Sequence, residues 1–441
     1  MIIISYVPKL QALDKSVAIL AEIRFKYPGS QIFTIVEIEG KNQIDCADTL
    51  LTLTARVSDL LLFFGYTKIH LKAFKALSKH YHNLSISRSL DDVFASLESV
   101  LDVSKDNHVR QRYYLIPYTG SETSHGIQIA QYLKSNNFRV VAYFKSLHDQ
   151  GLGFSSLNLK VLRPDLPKQQ KTDHSSYSLQ NFFAELLGKI AKAFHPAVNK
   201  RIDQTKQKQF HKIDLADVDV LLAFNDTHRK LLRDKLKCNE ISTAGYQLLY
   251  EGWKKLVLEY NHSTYCSVQE FFEVILFTRG ETPGKPPELN VVPHAMLEKL
   301  LGDIFTELEA LGRPYRVRIK PHPIQDVCFL QSLIHQHQNV SITYDPPAIL
   351  AATANLAIST YSSTVIDALI FGVPSIEYFE ENEFFKKKHP GGSPFIRFGA
   401  LPARTRVEFR GCLEKVVNVD YSVPDVEEKL GQKSNLNFLD L

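Results

Sequence analysis

Long hydrophobic runs are missing from this 441-residue sequence. No segment approaches the ~18 consecutive apolar residues needed to span a bilayer as a helix, which argues against an integral helical membrane protein. Cysteine is sparse. The five, at positions 46, 238, 266, 328 and 412, show neither metal-ligand spacing nor the pairing of a disulfide framework, a pattern that suits a reducing cytoplasm. Charge of one sign is scarcely in excess: 52 Lys and Arg against 48 Asp and Glu leave +4, which gives no general argument for nucleic-acid binding. The first residues, Met1 to Pro8, lack a basic n-region and a sufficient apolar run for a signal peptide, and read as a strand. No fixed-period repeat or low-complexity tract interrupts the chain. What remains, 44% hydrophobic and 23% charged residues, describes a soluble globular protein, and the length calls for two or three domains.

Short apolar strands alternate with helical stretches, the pattern of α/β architecture with mainly parallel sheets. Three blocks emerge, residues 1–105, 106–268 and 269–441. In the first, strands are expected near Ile2–Val7, Gln31–Val36 and Asp59–Phe64, with helices near Leu13–Phe25 and Ile69–His80. The polar run 104–111 reads as a boundary. The second opens with strand Arg112–Pro117 and the loop 118–124, then helix His125–Ser135, strand Phe138–Phe144, a long helical stretch over Leu179–His211 and strand Val218–Phe224. The third carries strands Phe272–Phe277, Tyr315–Ile319, Ser341–Tyr344, Asn355–Ile358 and Ser375–Phe379, with helices His294–Leu311 and Asp326–His337, as a doubly wound domain.

The most informative stretch is Ser359 to Pro374. A strand runs into Ser362, Ser363 and Thr364, then into a helix stopped by Gly372 and Pro374. Unpaired N–H groups and short hydroxyls at a helix start suit an anion, although such a cluster is more often an ordinary N-cap. His322 stands in Lys320-Pro-His-Pro323, where flanking prolines fix the backbone at a strand end; its imidazole can donate to a phosphate oxygen or cap a helix. Arg279 and Gly280 end the first strand of the same block, with Arg able to neutralise a departing nucleotide and Gly allowing close backbone approach. Open α/β sheets bind ligands at the carboxyl ends of their strands, so these residues share one edge. Asp345 and Asp367 could bind ribose hydroxyls; the ordinary readings are a turn former and a solvated helix residue. In the middle block, Glu122 and His125 lie in a strand-to-helix loop, where either could act as a base. Asp226 follows another strand end, where it is also an ordinary helix-starting residue. The basic stretch from Lys189 to Lys212 is a solvated helix face, or a surface that meets anionic lipid or a charged glycan.

Lys320-Pro-His-Pro323 followed by Ser359-Thr-Tyr-Ser-Ser-Thr364 and Gly372-Val-Pro374 resembles the C-terminal domain of GT-B glycosyltransferases that build bacterial surface and capsular polysaccharide. It is similar in style to the HP and SS motifs of sialyl- and Kdo-transferases and CDP-glycerol-type polymerases. The unit from Gly120 to Leu133 resembles the first loop and helix of a GT-B N-terminal domain. In architecture the likeness spans roughly residues 111–400, and in motif about thirty residues.

The resemblance implies two Rossmann-like domains facing a cleft, plus an additional N-terminal α/β segment over 1–105, either an extra module or part of the acceptor lobe. Residues 106–268 would form the acceptor side and 269–441 the nucleotide-sugar side. His322, Ser362 and Ser363 would hold the donor phosphate, with Thr364, Arg279 and Gly280 beside them. The implied activity is metal-independent transfer from a CMP- or UDP-linked sugar to a polysaccharide or glycolipid, without a cofactor. The setting would be the cytoplasm, with a possible peripheral contact at the inner membrane surface and no nucleic-acid partner. An Asp/Glu-Asp/Glu-Gly base signature is absent, so the base is sought in Glu122, with His125 and Asp226 behind it. A nucleotide-sugar 2-epimerase of the same fold and a non-catalytic binding subunit of a polysaccharide assembly complex are the alternatives.

Overall fold

The computed structural model describes residues 1–8, 13–37, 47–65, 68–105, 111–117, 124–144, 217–235, 238–264, 271–282, 284, 286–323, 325–389, 392–430, 436 and 439. Two parallel sheets organise them. The first has eight strands in the order β4-β3-β2-β1-β5-β6-β7-β8: β1 Ile2–Val7, β2 Gln31–Glu37, β3 Leu60–Phe64, β4 Leu84–Ser87, β5 Arg112–Pro117, β6 Arg139–Tyr143, β7 Val220–Ala223 and β8 Glu240–Thr243. The second has six, in the order β11-β10-β9-β12-β13-β14: β9 Phe272–Thr278, β10 Tyr315–Pro321, β11 Val340–Ile342, β12 Leu356–Ser359, β13 Ser375–Tyr378 and β14 Leu401–Ala403. All-parallel strands are covered by helices on both faces and so read as continuous apolar runs. β1 is buried along its whole length, and β9 from Val274 onward.

Numbered from its own first strand, the second sheet runs 3-2-1-4-5-6, the doubly wound Rossmann order. Its connections lead one way from β9 through β10 to β11, and the other way through β12, β13 and β14. The point where the order reverses lies between the paired strands β9 and β12. In the first sheet the reversal lies between β1 and β5, which are also paired. Two Rossmann-like α/β domains result.

Of the two expectations for residues 1–105, an extra module or part of the neighbouring lobe, the sheet pairing fits the second. Strand β1, from residues 1–105, pairs with β2 on one side and with β5, from residues 106–268, on the other. The polar run 104–111 therefore connects strands within one sheet, and the first block supplies half of that sheet. The long helical stretch expected over Leu179–His211 lies outside the described residues.

Helix Glu251–Thr264 carries the chain from the first sheet to the second. Its start is fixed by Glu22, whose wholly buried side chain accepts from the Gly252 N–H at 2.7 Å and pairs with Lys26 at 3.2 Å. Near its end, Asn261 Nδ2 donates to the Ile349 carbonyl of the second domain at 3.0 Å. A Cβ on Gly252 would stand 2.4 Å from the Ala21 carbonyl oxygen, a backbone atom that cannot swing away. Gly252→Ala is therefore expected to destabilise the fold by about 1–3 kcal/mol, read as a lowered midpoint in urea unfolding.

The end of the chain returns to the first domain. Lys254 pairs with Glu427 at 2.7 Å, Asn225 Nδ2 donates to the Leu430 carbonyl at 3.3 Å, and the Tyr113 hydroxyl donates to the Leu439 carbonyl at 2.9 Å. The block 269–441 thus includes a tail that packs on the first sheet.

Candidate functional site

At the second sheet's reversal point, three strand ends meet. β9 delivers Arg279 and Gly280, β10 delivers His322, and β12 delivers Thr360 to Thr364. Backbone bonds tie them together: the His322 N–H donates to the Thr278 carbonyl at 3.0 Å, and the Thr360 N–H to the Phe277 carbonyl at 3.0 Å. The Arg279 N–H donates to Thr360 Oγ1 at 2.8 Å. Gln325 locks the His322 loop, its Oε1 accepting from Thr278 Oγ1 at 2.9 Å and from the His322 N–H at 3.3 Å. A Cβ on Gly280 would come within 2.9 Å of Gln325 Nε2, so a larger residue there would displace the Gln325 side chain that locks the His322 loop.

Arg279 is half-buried, and no carboxylate partners its guanidinium among the described residues. Burial lowers its pKa from the ordinary value. It also depresses His322: burial first, then the Arg279 charge, pull that imidazole down to about 4. At neutral pH the crevice therefore holds, among the described residues, the positive charge of Arg279 beside a neutral imidazole. The Ser/Thr cluster contributes differently from expectation. Ser362 is 5% exposed and its hydroxyl shares a hydrogen bond with Thr364 Oγ1 at 2.8 Å, while its N–H donates to Ser359 Oγ at 2.8 Å. These hydroxyls shape the loop. Groups that can still reach a ligand include the exposed Ser363 side chain and the N–H groups of Ser363 and Thr364, which have no acceptor among the described residues.

The two ribose candidates are engaged elsewhere. Asp345 Oδ1 accepts from Thr49 Oγ1 of the first domain at 3.1 Å, and Oδ2 from Thr343 Oγ1 at 3.3 Å. Asp367 lies against the first domain in a charged cluster with Asp14, Lys15 and Tyr246. Lys15 Nζ pairs with Asp14 at 3.0 Å and stands 5.2 Å from the Tyr246 ring centre. Burial opposes the Lys15 charge, but Asp14, Tyr246 and Asp367 outweigh it and raise its pKa. Burial, with Asp14 adding to it and Lys15 opposing, lifts Asp367 to about 6.

A carboxyl raised in the folded state takes up its proton earlier there than in the unfolded chain. The contact between the domains should therefore strengthen as pH falls from 7 towards 5. Asp367→Asn removes the penalty of the charged form. It is expected to raise the melting temperature at pH 8, by the equivalent of roughly 1 kcal/mol because Asp367 keeps partial contact with solvent, by about half as much at pH 5, and to leave it unchanged only below the unfolded carboxyl's 3.8. A scan of melting temperature against pH for both proteins reads this directly.

The first sheet carries its own constellation at the carboxyl edge. Glu37 ends β2 and is 3% exposed. One carboxylate oxygen takes the Tyr6 hydroxyl from β1; the other meets His125 Nδ1 at 2.8 Å. His125 lies in the first turn of helix Ser124–Ser135, which follows β5, with its ring edge-on to Phe64 at 5.1 Å between centres. A Cβ on Gly126 would fall 2.7 Å from the Tyr6 ring, so glycine lets that tyrosine reach Glu37. Since an ionised carboxylate only accepts, the bond fixes the proton on Nδ1 and leaves the His125 Nε2 lone pair without a partner among the described residues, the tautomer of a general base.

Of the three base candidates, His125 is the one that pairs with a buried carboxylate at this edge. Glu122 lies outside the described residues. Asp226 sits on β7's side of the sheet, two strands or about 10 Å from β5, where it pairs with Arg229 at 3.0 Å and accepts from Thr243 Oγ1 at 3.2 Å. Nearby His228 is structural: it accepts from the Phe224 N–H at 3.2 Å, and burial lowers its pKa to about 4. Sequence reasoning missed Glu37, 88 positions from its partner. A glutamate closing the mostly apolar run Ile32–Val36 was the available signal. Among the described residues no cluster of three or more His, Cys, Asp and Glu side chains is arranged to hold a metal, and no helix is long and apolar enough to cross a membrane.

No family model matches this chain, and no curated protein matches it. Among solved structures it is similar to the UDP-GlcNAc 2-epimerase from Methanocaldococcus jannaschii, with 13% identity over 98% of this chain and 94% of that one and a TM-score of 0.46. It is likewise similar to the wall teichoic acid polymerase TagF, with 10% identity over 100% and 86% and a TM-score of 0.47. A third likeness is to the GT-B domain of a sialyltransferase from Photobacterium damselae, with 12% identity over 90% and 96% and a TM-score of 0.38. Transferases and an epimerase stand side by side at these low scores, and the two-domain Rossmann-like architecture rests on the strand orders of the chain itself.

Proposed function

We propose that the protein is a glycosyltransferase moving a sugar from a nucleotide-sugar donor, CMP- or UDP-linked, to a polysaccharide or glycolipid acceptor. The observation that carries this reading is the Arg279 guanidinium, without a carboxylate partner among the described residues, set with His322 and with Ser363 and Thr364 N–H groups that find no acceptor among them, at the reversal point of a Rossmann sheet. A half-buried cation without a counter-charge is costly, and an anionic ligand removes that cost. The Arg279 charge and the neutral donors suit a phosphate oxygen.

In this reading the donor phosphate lies against Arg279, His322 and the 363–364 N–H groups. The acceptor hydroxyl meets His125 Nε2. As the acceptor oxygen bonds to the anomeric carbon, its proton passes to Nε2, and the bond from that carbon to the phosphate oxygen breaks. The electron pair leaves with the phosphate, where Arg279 stabilises it. Glu37 holds the imidazole in place and stabilises the imidazolium that forms. Direct displacement inverts the anomeric centre. Protein groups neutralise the leaving phosphate, so neither metal nor cofactor takes part. Asp14, Lys15 and Asp367 interact electrostatically where the two domains touch.

A thermal-shift screen against CMP, CDP, UDP and GDP, each paired with its nucleoside, tests this, because a ligand bound to the native state raises its stability. At least one nucleotide should stabilise the protein where its nucleoside does not; no response to any nucleotide sinks the reading. A 2-epimerase would return a sugar still linked to its nucleotide, whereas a transferase releases the nucleotide. A binding subunit would have no use for the Glu37–His125 pair.

A further inference from the structure

Tyr361 has a left-handed backbone, φ 63°, between Thr360 and Ser362. A bulky residue rarely adopts that conformation, and it persists only where the surroundings enforce it. Here they do. The ring is 7% exposed and packs among Phe379, Phe385, Phe395 and His389, with centres 5.2–5.6 Å away. Its hydroxyl is bonded to His389 Nε2 at 2.5 Å. The ring is therefore held at three sides and at its tip, and its remaining face looks towards Arg279, whose guanidinium carbon is 5.9 Å from the ring centre.

That contact solves a specific problem. Arg279 has to be held in a desolvated crevice, yet a carboxylate partner would cancel the charge that an anion needs. A π face attracts a guanidinium without neutralising it. The Arg279 N–H bond to Thr360 Oγ1, adjacent in sequence to Tyr361, sets the backbone at the same register. Resting on the donor-phosphate reading above, we propose that Tyr361 is a positioning residue: its ring holds the Arg279 guanidinium in place with its charge available for the donor phosphate. The left-handed backbone is the geometry that turns the ring under Arg279 while Ser363 and Thr364 stay at the crevice.

The test is a double-mutant cycle read by calorimetry, using whichever of CMP, CDP, UDP or GDP gives the largest thermal shift, and its nucleoside. Tyr361→Phe keeps the face and loses only the hydroxyl, and should bind the nucleotide within about twofold of wild type. Tyr361→Leu removes the face and should weaken the nucleotide roughly tenfold with no change for the nucleoside. In an Arg279→Ala background the same change should have no further effect. Should the leucine variant fail to fold, pentafluorophenylalanine at position 361 keeps the ring's volume but reverses its quadrupole, and the same loss is expected. Equal losses in both backgrounds, or wild-type nucleotide affinity in the leucine or fluorinated variant, overturn the inference while leaving the donor site standing. Absence of any nucleotide binding by the wild-type protein overturns the donor reading itself, and this inference with it.

Discussion

Turnover of His125→Ala is expected to fall about 10²–10⁴-fold, with affinity for the nucleotide unchanged. The prediction follows from the division of labour between the domains. In the proposed reading, His125 on the helix after β5 meets the acceptor, whereas the second domain holds the nucleotide. Glu37→Gln is the more discriminating variant. A glutamine can still accept from Tyr6, but its amide would present N–H to His125 Nδ1. The imidazole would then carry its proton on Nε2, facing the acceptor, where it cannot act as a base. A loss of similar size is therefore expected from a substitution that changes hardly any volume. Hydrolysis of the donor, with water standing in for the acceptor, provides the assay, and released nucleotide is the readout. Full activity in Glu37→Gln would remove the pair from the mechanism.

Arg279→Ala should weaken nucleotide binding by about 1.5–3 kcal/mol, the range for a hydrogen bond to a charged group, which is roughly 10–150-fold. The nucleoside should be unaffected. Stability should move the other way. The free protein holds a half-buried cation that no carboxylate partners among the described residues, so removing it should leave the melting temperature equal or higher. Functional sites commonly cost stability in this manner. Lost affinity together with unchanged or raised stability separates a ligand-binding role from a structural one. A structural arginine would lose both. Arg279→Lys should recover only part of the loss, because a lysine lacks the planar fork and makes a poorer π contact.

Much of the second domain was legible in the sequence. Uninterrupted apolar strands such as Val274–Phe277 and Leu356–Ile358 mark central positions of a parallel sheet, and the expected strand ends fall within two residues of those observed for β9 to β13. β4, β8 and β14 were not seen. They lie at the sheet margins, they are three or four residues long, and polar residues or proline interrupt them, so no hydrophobic period stands out. The placing of β1 beside β5 was also hidden. Sequence order puts 110 residues between their starts, and only the doubly wound topology brings them together.

For the site, local sequence was a good guide to strand ends and a poor guide to what each side chain does there. Arg279, His322 and the 362–364 loop converge because three strand ends are neighbours in the sheet, which strand succession implies. That Ser362 turns its hydroxyl inward, that Asp345 and Asp367 face the first domain, and that Glu37 meets His125 are consequences of packing between segments far apart in the chain. Tyr361 is a further case. Nothing in a Thr-Tyr-Ser sequence announces a left-handed tyrosine, because the conformation is imposed by the aromatic side chains around it.

The central claim is that the crevice between β9 and β12 holds a phosphate. Calorimetric titration of the wild-type protein with a matched nucleotide and nucleoside tests it most directly. The account predicts that the nucleotide binds at least about tenfold more tightly than the nucleoside, the lower bound for the charge-assisted contacts described, and that Arg279→Ala abolishes most of the difference. Equal affinity for the two ligands, or a difference that survives the loss of Arg279, would contradict it.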